Sequence, residues 1–259
     1  MKLIDTHCHL NDKRLYPLAD ELIAKAVAAG VIKMQVVGYD EASSRIAIEL
    51  ADRDPEVYAI VGIHPTEVSD NIEQRLAIIE QLAKHPKVVA IGETGLDFYW
   101  HKEADHHELQ KRYFIAQIEL ADRLGLPIVV HSRDAIGATL ELLQQHNPIF
   151  HGVMHCYSGS AELVPDFIKL GFYISLGGPV TFVNARIPKE VALVVPDDKL
   201  LIETDSPYLA PHPYRGKQND PSLLPLVAKA IATIKGISVE SVYQTTTENA
   251  IRLFHVKHK

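Results

Sequence analysis

Lys2-Leu3-Ile4-Asp5-Thr6-His7-Cys8-His9 opens the chain as a short apolar run closing on two histidines one residue apart. Side chains alternate between the two faces of a β-strand, so a strand here points His7 and His9 one way and Cys8 the other. That pair can chelate a metal ion. Taken alone it is a short pattern, for which a buried, hydrogen-bonded histidine is the ordinary alternative. The meaning of the pair therefore depends on whether other strands deliver partners to the same place.

Downstream the strand recurs. Apolar runs over residues 34–38, 57–63, 88–91, 126–130, 149–154, 172–176 and 200–205 read as seven further strands. Amphipathic helical spacing fills the intervals at 17–30, 41–53, 72–84, 104–124, 134–145, 161–170 and 187–194, and two more helices at 223–235 and 239–253 follow. Eight strands alternating with helices, and no Pro/Gly/Ser-rich linker between them, predict a (β/α)8 TIM barrel, one α/β domain over residues 1–259. An open doubly wound sheet is the alternative. It is disfavoured because no glycine-rich dinucleotide fingerprint follows the first strand, and because a barrel of eight units takes about 250 residues.

Composition narrows the function classes. With 259 residues, 47% of them apolar, the chain can bury a large core. A net charge of −7 excludes a broad phosphate-binding surface, so any phosphate contact must be local. The two cysteines, Cys8 and Cys156, each follow a histidine and are expected to be reduced and core-facing, as suits a cytoplasmic protein. No signal-peptide core and no run approaching a membrane span is visible, so no membrane association is expected. Most of the 14 histidines, among them His101, His106, His107, His255 and His258, sit in polar surroundings and are expected at the surface. His106-His107-Glu108 lacks the spacing of a helical zinc motif.

Active sites of such barrels lie at the carboxyl ends of the strands. Here strand one ends on His7 and His9, strand three on His64, strand four on Glu93, strand five on His131, strand six on His155 and strand eight on Asp205. Residues buried for ordinary structural reasons would be scattered along the elements rather than gathered at one end of several strands. Four histidines and two carboxylates exceed what one tetrahedral ion with an open position needs, and suit two ions sharing a carboxylate and a water. The expected arrangement places His7, His9, Glu93 and Asp205 around one divalent ion and Glu93, His131 and His155 around the other, with Glu93 bridging. Imidazoles favour Zn²⁺, Mn²⁺ or similar ions. Hydrolysis follows, with Glu93 and Asp205 as catalytic carboxylates and Asp205 placed to orient the water or take its proton.

The motifs His7-Cys8-His9-Leu10, Gly92-Glu93-Thr94-Gly95-Leu96-Asp97, His131-Ser132-Arg133, His155-Cys156-Tyr157-Ser158-Gly159 and Glu203-Thr204-Asp205-Ser206-Pro207-Tyr208-Leu209 resemble the TatD family of metal-dependent deoxyribonucleases. Arg215-Gly216-Lys217-Gln218-Asn219 and Asn249-Ala250-Ile251-Arg252-Leu253-Phe254 extend the resemblance over the whole chain. It implies a barrel of the amidohydrolase superfamily, divalent metals with Mg²⁺ as a further candidate, and hydrolysis of phosphodiester bonds at DNA ends, with single-stranded DNA as partner. Two departures are Thr94, where the family more often has an aliphatic residue, and Asn11, where aspartate is common.

Around this core His64 is a candidate substrate contact, and Arg133, Arg215 and Lys217 are candidate phosphate holders, the latter two through the resemblance. Each has a solvated or bracing role as its ordinary alternative. The Phe98-Tyr99-Trp100 cluster is a candidate stacking surface for nucleobases, whereas Tyr157 and Tyr208 more simply pack. Rival functions are a small-molecule amidohydrolase, phosphotriesterase or lactonase, and a catalytically silent metal-binding protein.

Overall fold

Eight parallel strands, β1 (Leu3–Cys8), β2 (Val31–Val37), β3 (Val57–Val61), β4 (Val88–Asp97), β5 (Ile128–Arg133), β6 (Gly152–Met154), β7 (Tyr173–Leu176) and β8 (Leu200–Ile202), pair in chain order into one sheet. The computed structural model describes residues 2–256, so His258 lies outside the described residues. Helices α1 (Ala19–Ala28), α2 (Glu41–Arg53), α3 (Ile72–Ala83), α4 (Ala104–Leu124), α5 (Ile136–Gln145), α6 (Val164–Lys169), α7 (Ile187–Val194) and α8 (Leu224–Lys235) follow the strands in turn, and α9 (Val239–Phe254) ends the series. No single described helix is long and apolar enough to cross a membrane.

The first and last strands meet just beyond β8. His9 N donates to Ser206 O at 2.7 Å and Asp205 N to His7 O at 2.9 Å, so the seam carries backbone hydrogen bonds like the ladders elsewhere. The buried Asp5 carboxylate adds two bonds across it, from Thr204 N at 2.9 Å and Thr204 Oγ1 at 2.6 Å. The molecule is the expected (β/α)8 barrel.

Alternation along the strands produces two cores. Leu3, Val36, Ala59, Val61, Ile128 and Ile174 belong to the cluster packed with the helices, together with Phe114, Phe167 and Ile231. Ile4, Val37, Ile60, Val129, Val153, Tyr173 and Leu201, one from each of seven strands, form a second cluster with Val89 and Ala90 of β4, which fills the barrel interior; Leu253 and Phe254 of α9 join it. Caps fix several helix ends as the residue types dictate: Asp40 and Ser43 make a capping box on α2, and Gly125 and Gly236 end α4 and α8 in the left-handed conformation.

Three differences from the sequence expectation matter for the site. The strand expected at 88–91 continues to Asp97, pairing Thr94 with Val130 and Asp97 with Arg133 after a register shift. Gly92 and Gly95 make this possible, at φ +151° and +138°, where a side chain is disfavoured. The strand expected over 149–154 spans only Gly152–Met154, since Ile149 and Phe150 are exposed. β8 likewise ends at Ile202; Glu203 N still donates to Leu176 O of β7 at 3.2 Å, and Thr204 and Asp205 then bond across the seam to β1.

Candidate metal centre

His7 and His9 leave the end of β1 with their Nε2 atoms 3.2 Å apart, while Cys8 is fully buried on the opposite face and directs Sγ to Gln35 O at 3.4 Å. The opening pattern therefore holds. Glu93 lies between this pair and a second one. Its Oε2 is 3.4 Å from His7 Nε2 and 3.7 Å from His9 Nε2; its Oε1 is 2.9 Å from His131 Nδ1 and 2.8 Å from His155 Nε2. Asp205 Oδ1 joins the first group at 3.6 Å from His9 Nε2 and 4.0 Å from His7 Nε2. One carboxylate is thus divided, an oxygen to each pair of imidazoles.

The far nitrogens of these rings decide which near atoms carry lone pairs. His9 Nδ1 is 2.9 Å from Val37 O, a pure acceptor, so the proton sits on Nδ1 and the Nε2 lone pair faces inward. His155 Nδ1 is held by Glu203 Oε1 at 3.2 Å and His131 Nε2 by Asp97 Oδ2 at 3.2 Å. His155 Nε2, His131 Nδ1 and Glu93 Oε1 are then three acceptors converging at 2.8–3.3 Å, an arrangement that requires a cation or extra protons among them. The donor set fits divalent metal: nitrogen and oxygen atoms of His7, Glu93 and His155, and of His7, His9 and Asp205, lie within 4.8 Å of one another.

Electrostatics tell the same story. Burial works to raise the Glu93 pKa, yet the imidazole of His155 and the hydrogen bond from His131 hold it well below the ordinary carboxylate range. Burial opposes charge on His155 and His131 too, but Glu93 with Glu203 and Asp97 raises both, so protons occupy the acceptor positions when no other cation does. Against burial, the neighbouring imidazoles of His9, His155 and His7 keep Asp205 below its usual value.

His64 is different. Its Nδ1 accepts from Thr66 N at 3.2 Å and faces Thr66 Oγ1 at 2.7 Å, which leaves the proton of the neutral ring on Nε2. That atom is 3.6 Å from Glu93 Oε1. Burial drives the His64 pKa down to about 3, so the ring stays neutral and offers the cleft an N–H donor. Although its position also allows it to group with Glu93 and His131 around an ion, the Thr66 bond favours a donor role.

The centre forms the floor of a cleft of about 960 Å³ whose walls include Asp12, Tyr39, His64, Trp100, Arg133, Tyr157, Val180, Ile187 and Tyr208. Arg215 and Lys217 are not brought to these walls; both are exposed, with the Arg215 guanidinium 4.4 Å from the Phe182 ring centre and Lys217 Nζ 5.8 Å from that of Tyr214. The expectation for Cys156 is corrected: it lines the cleft. β6 ends at Met154 and Cys156 has φ +40°, so the two-residue alternation no longer applies there. His101, His106 and His107 are half-buried rather than surface residues, with His107 Nε2 on His101 O at 2.7 Å. Phe98 stacks on His107 at 3.8 Å, apart from Tyr99 and Trp100, which are exposed.

Residues that strand ends did not point to complete the centre: Asp97 and Glu203 behind His131 and His155, and Gln117 of α4. The fully buried Gln117 accepts from Ile63 N at 2.8 Å and donates to Ile63 O at 3.0 Å and Thr94 Oγ1 at 2.6 Å, bolting the end of β3 to β4. The two departures from the family pattern thus have partners. Thr94 serves Gln117, and Asn11 donates to Val37 O at 2.9 Å, the carbonyl that also orients His9.

Comparison with known proteins gives the family. The family model described as TatD related DNase matches residues 4–255. An uncharacterized metal-dependent hydrolase of Bacillus subtilis, YabD, is 45% identical over 98% of this chain and 99% of its own length. YcfH of Escherichia coli K12, described in the same words, is 39% identical over 99% of this chain and 97% of its own. The crystal structure of YjjV, a TatD homolog from Escherichia coli K12, superposes with a TM-score of 0.91 at 29% identity, covering 98% of each chain. Matched over nearly its full length, the chain belongs to the TatD-related DNase family of metal-dependent hydrolases.

Proposed function

We propose that the protein is a deoxyribonuclease that hydrolyses phosphodiester bonds at the ends of DNA, single strands included, using two divalent ions that share Glu93. The observation that carries this reading is the Glu93 carboxylate itself, with one oxygen 3.4 Å from His7 Nε2 and the other 2.8 Å from His155 Nε2, at the floor of an open cleft. His7, His9, Glu93 and Asp205 would hold one ion and Glu93, His131 and His155 the other, with Zn²⁺, Mn²⁺ or Mg²⁺ as candidates. Bound there, such ions supply an activated water and positive charge beside a phosphate.

The chain's own groups do the rest. Asp205 borders the cleft as an ionised carboxylate and can take the proton of the attacking water. His64 presents its Nε2–H to a phosphate oxygen, and Arg133 at the rim can meet a second one. The cleft volume sits at the upper end of the range for small-ligand sites, about 300–1,000 Å³, which favours a chain terminus over a continuous duplex. Arg133 is the one lysine or arginine among the cleft's described walls, in keeping with the acidic net charge and a shallow dependence of binding on salt.

One wall, with Leu176, Pro179, Val180, Ile187 and Pro188, is apolar and favours a second reading, hydrolysis of a small apolar ester or phosphotriester. A single assay separates the two. Chelator-stripped protein reloaded with Mn²⁺ or Mg²⁺ is offered single-stranded oligonucleotides, lactones and phosphotriesters; release of nucleotides above the chelated control supports the nuclease, and turnover of the small esters alone refutes it.

A further inference from the structure

Asp97 serves two neighbours at once. Its Oδ2 holds Nε2 of His131, a metal-centre residue, at 3.2 Å. Its Oδ1 accepts from the backbone N–H groups of Tyr99 at 2.9 Å and Trp100 at 3.0 Å, fixing the segment that follows β4. Asp97 is itself almost fully buried and is locked from behind by the Gln110 side chain, which accepts from Asp97 N and donates to Asp97 O, both at 2.9 Å. A rigid carboxylate therefore spans the metal centre and the rim.

The segment it fixes is unusual for a surface. Trp100 is 64% exposed and Tyr99 43% exposed, their rings edge to face at 4.9 Å. The Arg133 guanidinium lies 3.8 Å from the Tyr99 ring centre and 5.4 Å from that of Trp100, and Lys102 Nζ lies 5.5 Å from Tyr99. Arg133 O accepts from Phe98 N at 2.9 Å, which joins the backbone carrying the cation to the one carrying the aromatics. Exposed aromatic faces beside cations are what a base and its phosphate recognise without sequence preference.

We propose that Tyr99, Trp100 and Arg133 form a subsite for a nucleobase and its phosphate, and that Asp97 is a positioning residue coupling this subsite to the metal centre through His131. The proposal rests on the nuclease reading for its ligand. A cation held at His131 Nδ1 would be felt through Asp97 at the Tyr99 and Trp100 amides, so that ion and nucleotide would assist each other's binding.

Trp100, the chain's single tryptophan, makes the coupling visible. Zn²⁺ titrated into stripped wild-type protein should shift Trp100 emission in step with calorimetric binding. Asp97→Asn keeps an acceptor for the two amides but cannot accept from His131 Nε2–H; it should bind Zn²⁺ about 10- to 100-fold more weakly and lose the emission response. A wild-type protein that binds Zn²⁺ with unchanged emission, or an Asp97→Asn protein that responds fully at saturation, overturns the coupling. For the subsite, Trp100→Ala should raise KM for a single-stranded oligonucleotide roughly 5- to 100-fold with little change in kcat, and Arg133→Ala should act in the same direction. If wild type hydrolyses the oligonucleotide and both variants match it, the subsite alone is refuted; if wild type neither binds nor hydrolyses any oligonucleotide, the nuclease reading falls as well.

Discussion

Gly95→Ala is the smallest change that should disable the centre without touching a ligand. A Cβ built on Gly95 lies 2.1 Å from the His131 carbonyl oxygen, whereas ordinary contact begins at 3.4 Å, so β4 and β5 must part locally by about 1.3 Å. Both strands carry centre residues here, and the 2.9 Å approach of Glu93 Oε1 to His131 Nδ1 would open toward 4 Å, too far to share an ion. The alanine must also adopt φ near +138°, where a side chain costs about 1–3 kcal/mol. Overpacking adds a similar amount, giving a loss of roughly 2–6 kcal/mol and, for a chain of this size, a Tm lower by roughly 4–24 °C. Thermal melts and metal content measured on the same preparation test this. An alanine variant with wild-type Tm and wild-type metal content would refute the claim that strand geometry at Gly95 builds the site.

Other substitutions separate the parts of the centre. Asp205→Asn should retain the fold and lower kcat about 10²- to 10⁴-fold on whichever substrate is cleaved, measured under saturating metal. Glu203→Ala should weaken metal binding about 10- to 100-fold by freeing His155 Nδ1, and Glu203→Gln, which can still accept that proton, should recover much of it in the same calorimetric titration. Gln117→Ala leaves Ile63 N and O without their side-chain partner, which costs about 1–3 kcal/mol for each orphaned group in denaturant unfolding and should raise KM through the neighbouring His64.

The strand ends were readable because metal chemistry restricts residue type and the barrel restricts place: His7, His9, Glu93, His131, His155 and Asp205 could be grouped without coordinates, and the structure brings their side chains together. Glu203 carried a signal that was available, since it lies two residues from Asp205 and so shares its face in an extended chain. Asp97 stands four residues beyond Glu93, but its role depends on a strand that continues through Gly92 and Gly95, and apolar periodicity ends at Ile91. Gln110 and Gln117 look like solvated positions of a polar helix, and only their burial against β3 and β4 shows otherwise. Cys156 was misplaced because a left-handed turn interrupts alternation at one residue. The positions of Arg215 and Lys217 depend on the path of an irregular loop, which no periodicity encodes.

The central claim is that Glu93 joins two ion sites. The direct measurement is the number of divalent ions bound per chain at saturation in stripped wild-type protein, by calorimetry with elemental analysis, compared with Glu93→Ala. Two ions in wild type and fewer than one in the variant are predicted; a single ion in wild type, or two retained by the variant, would contradict the account.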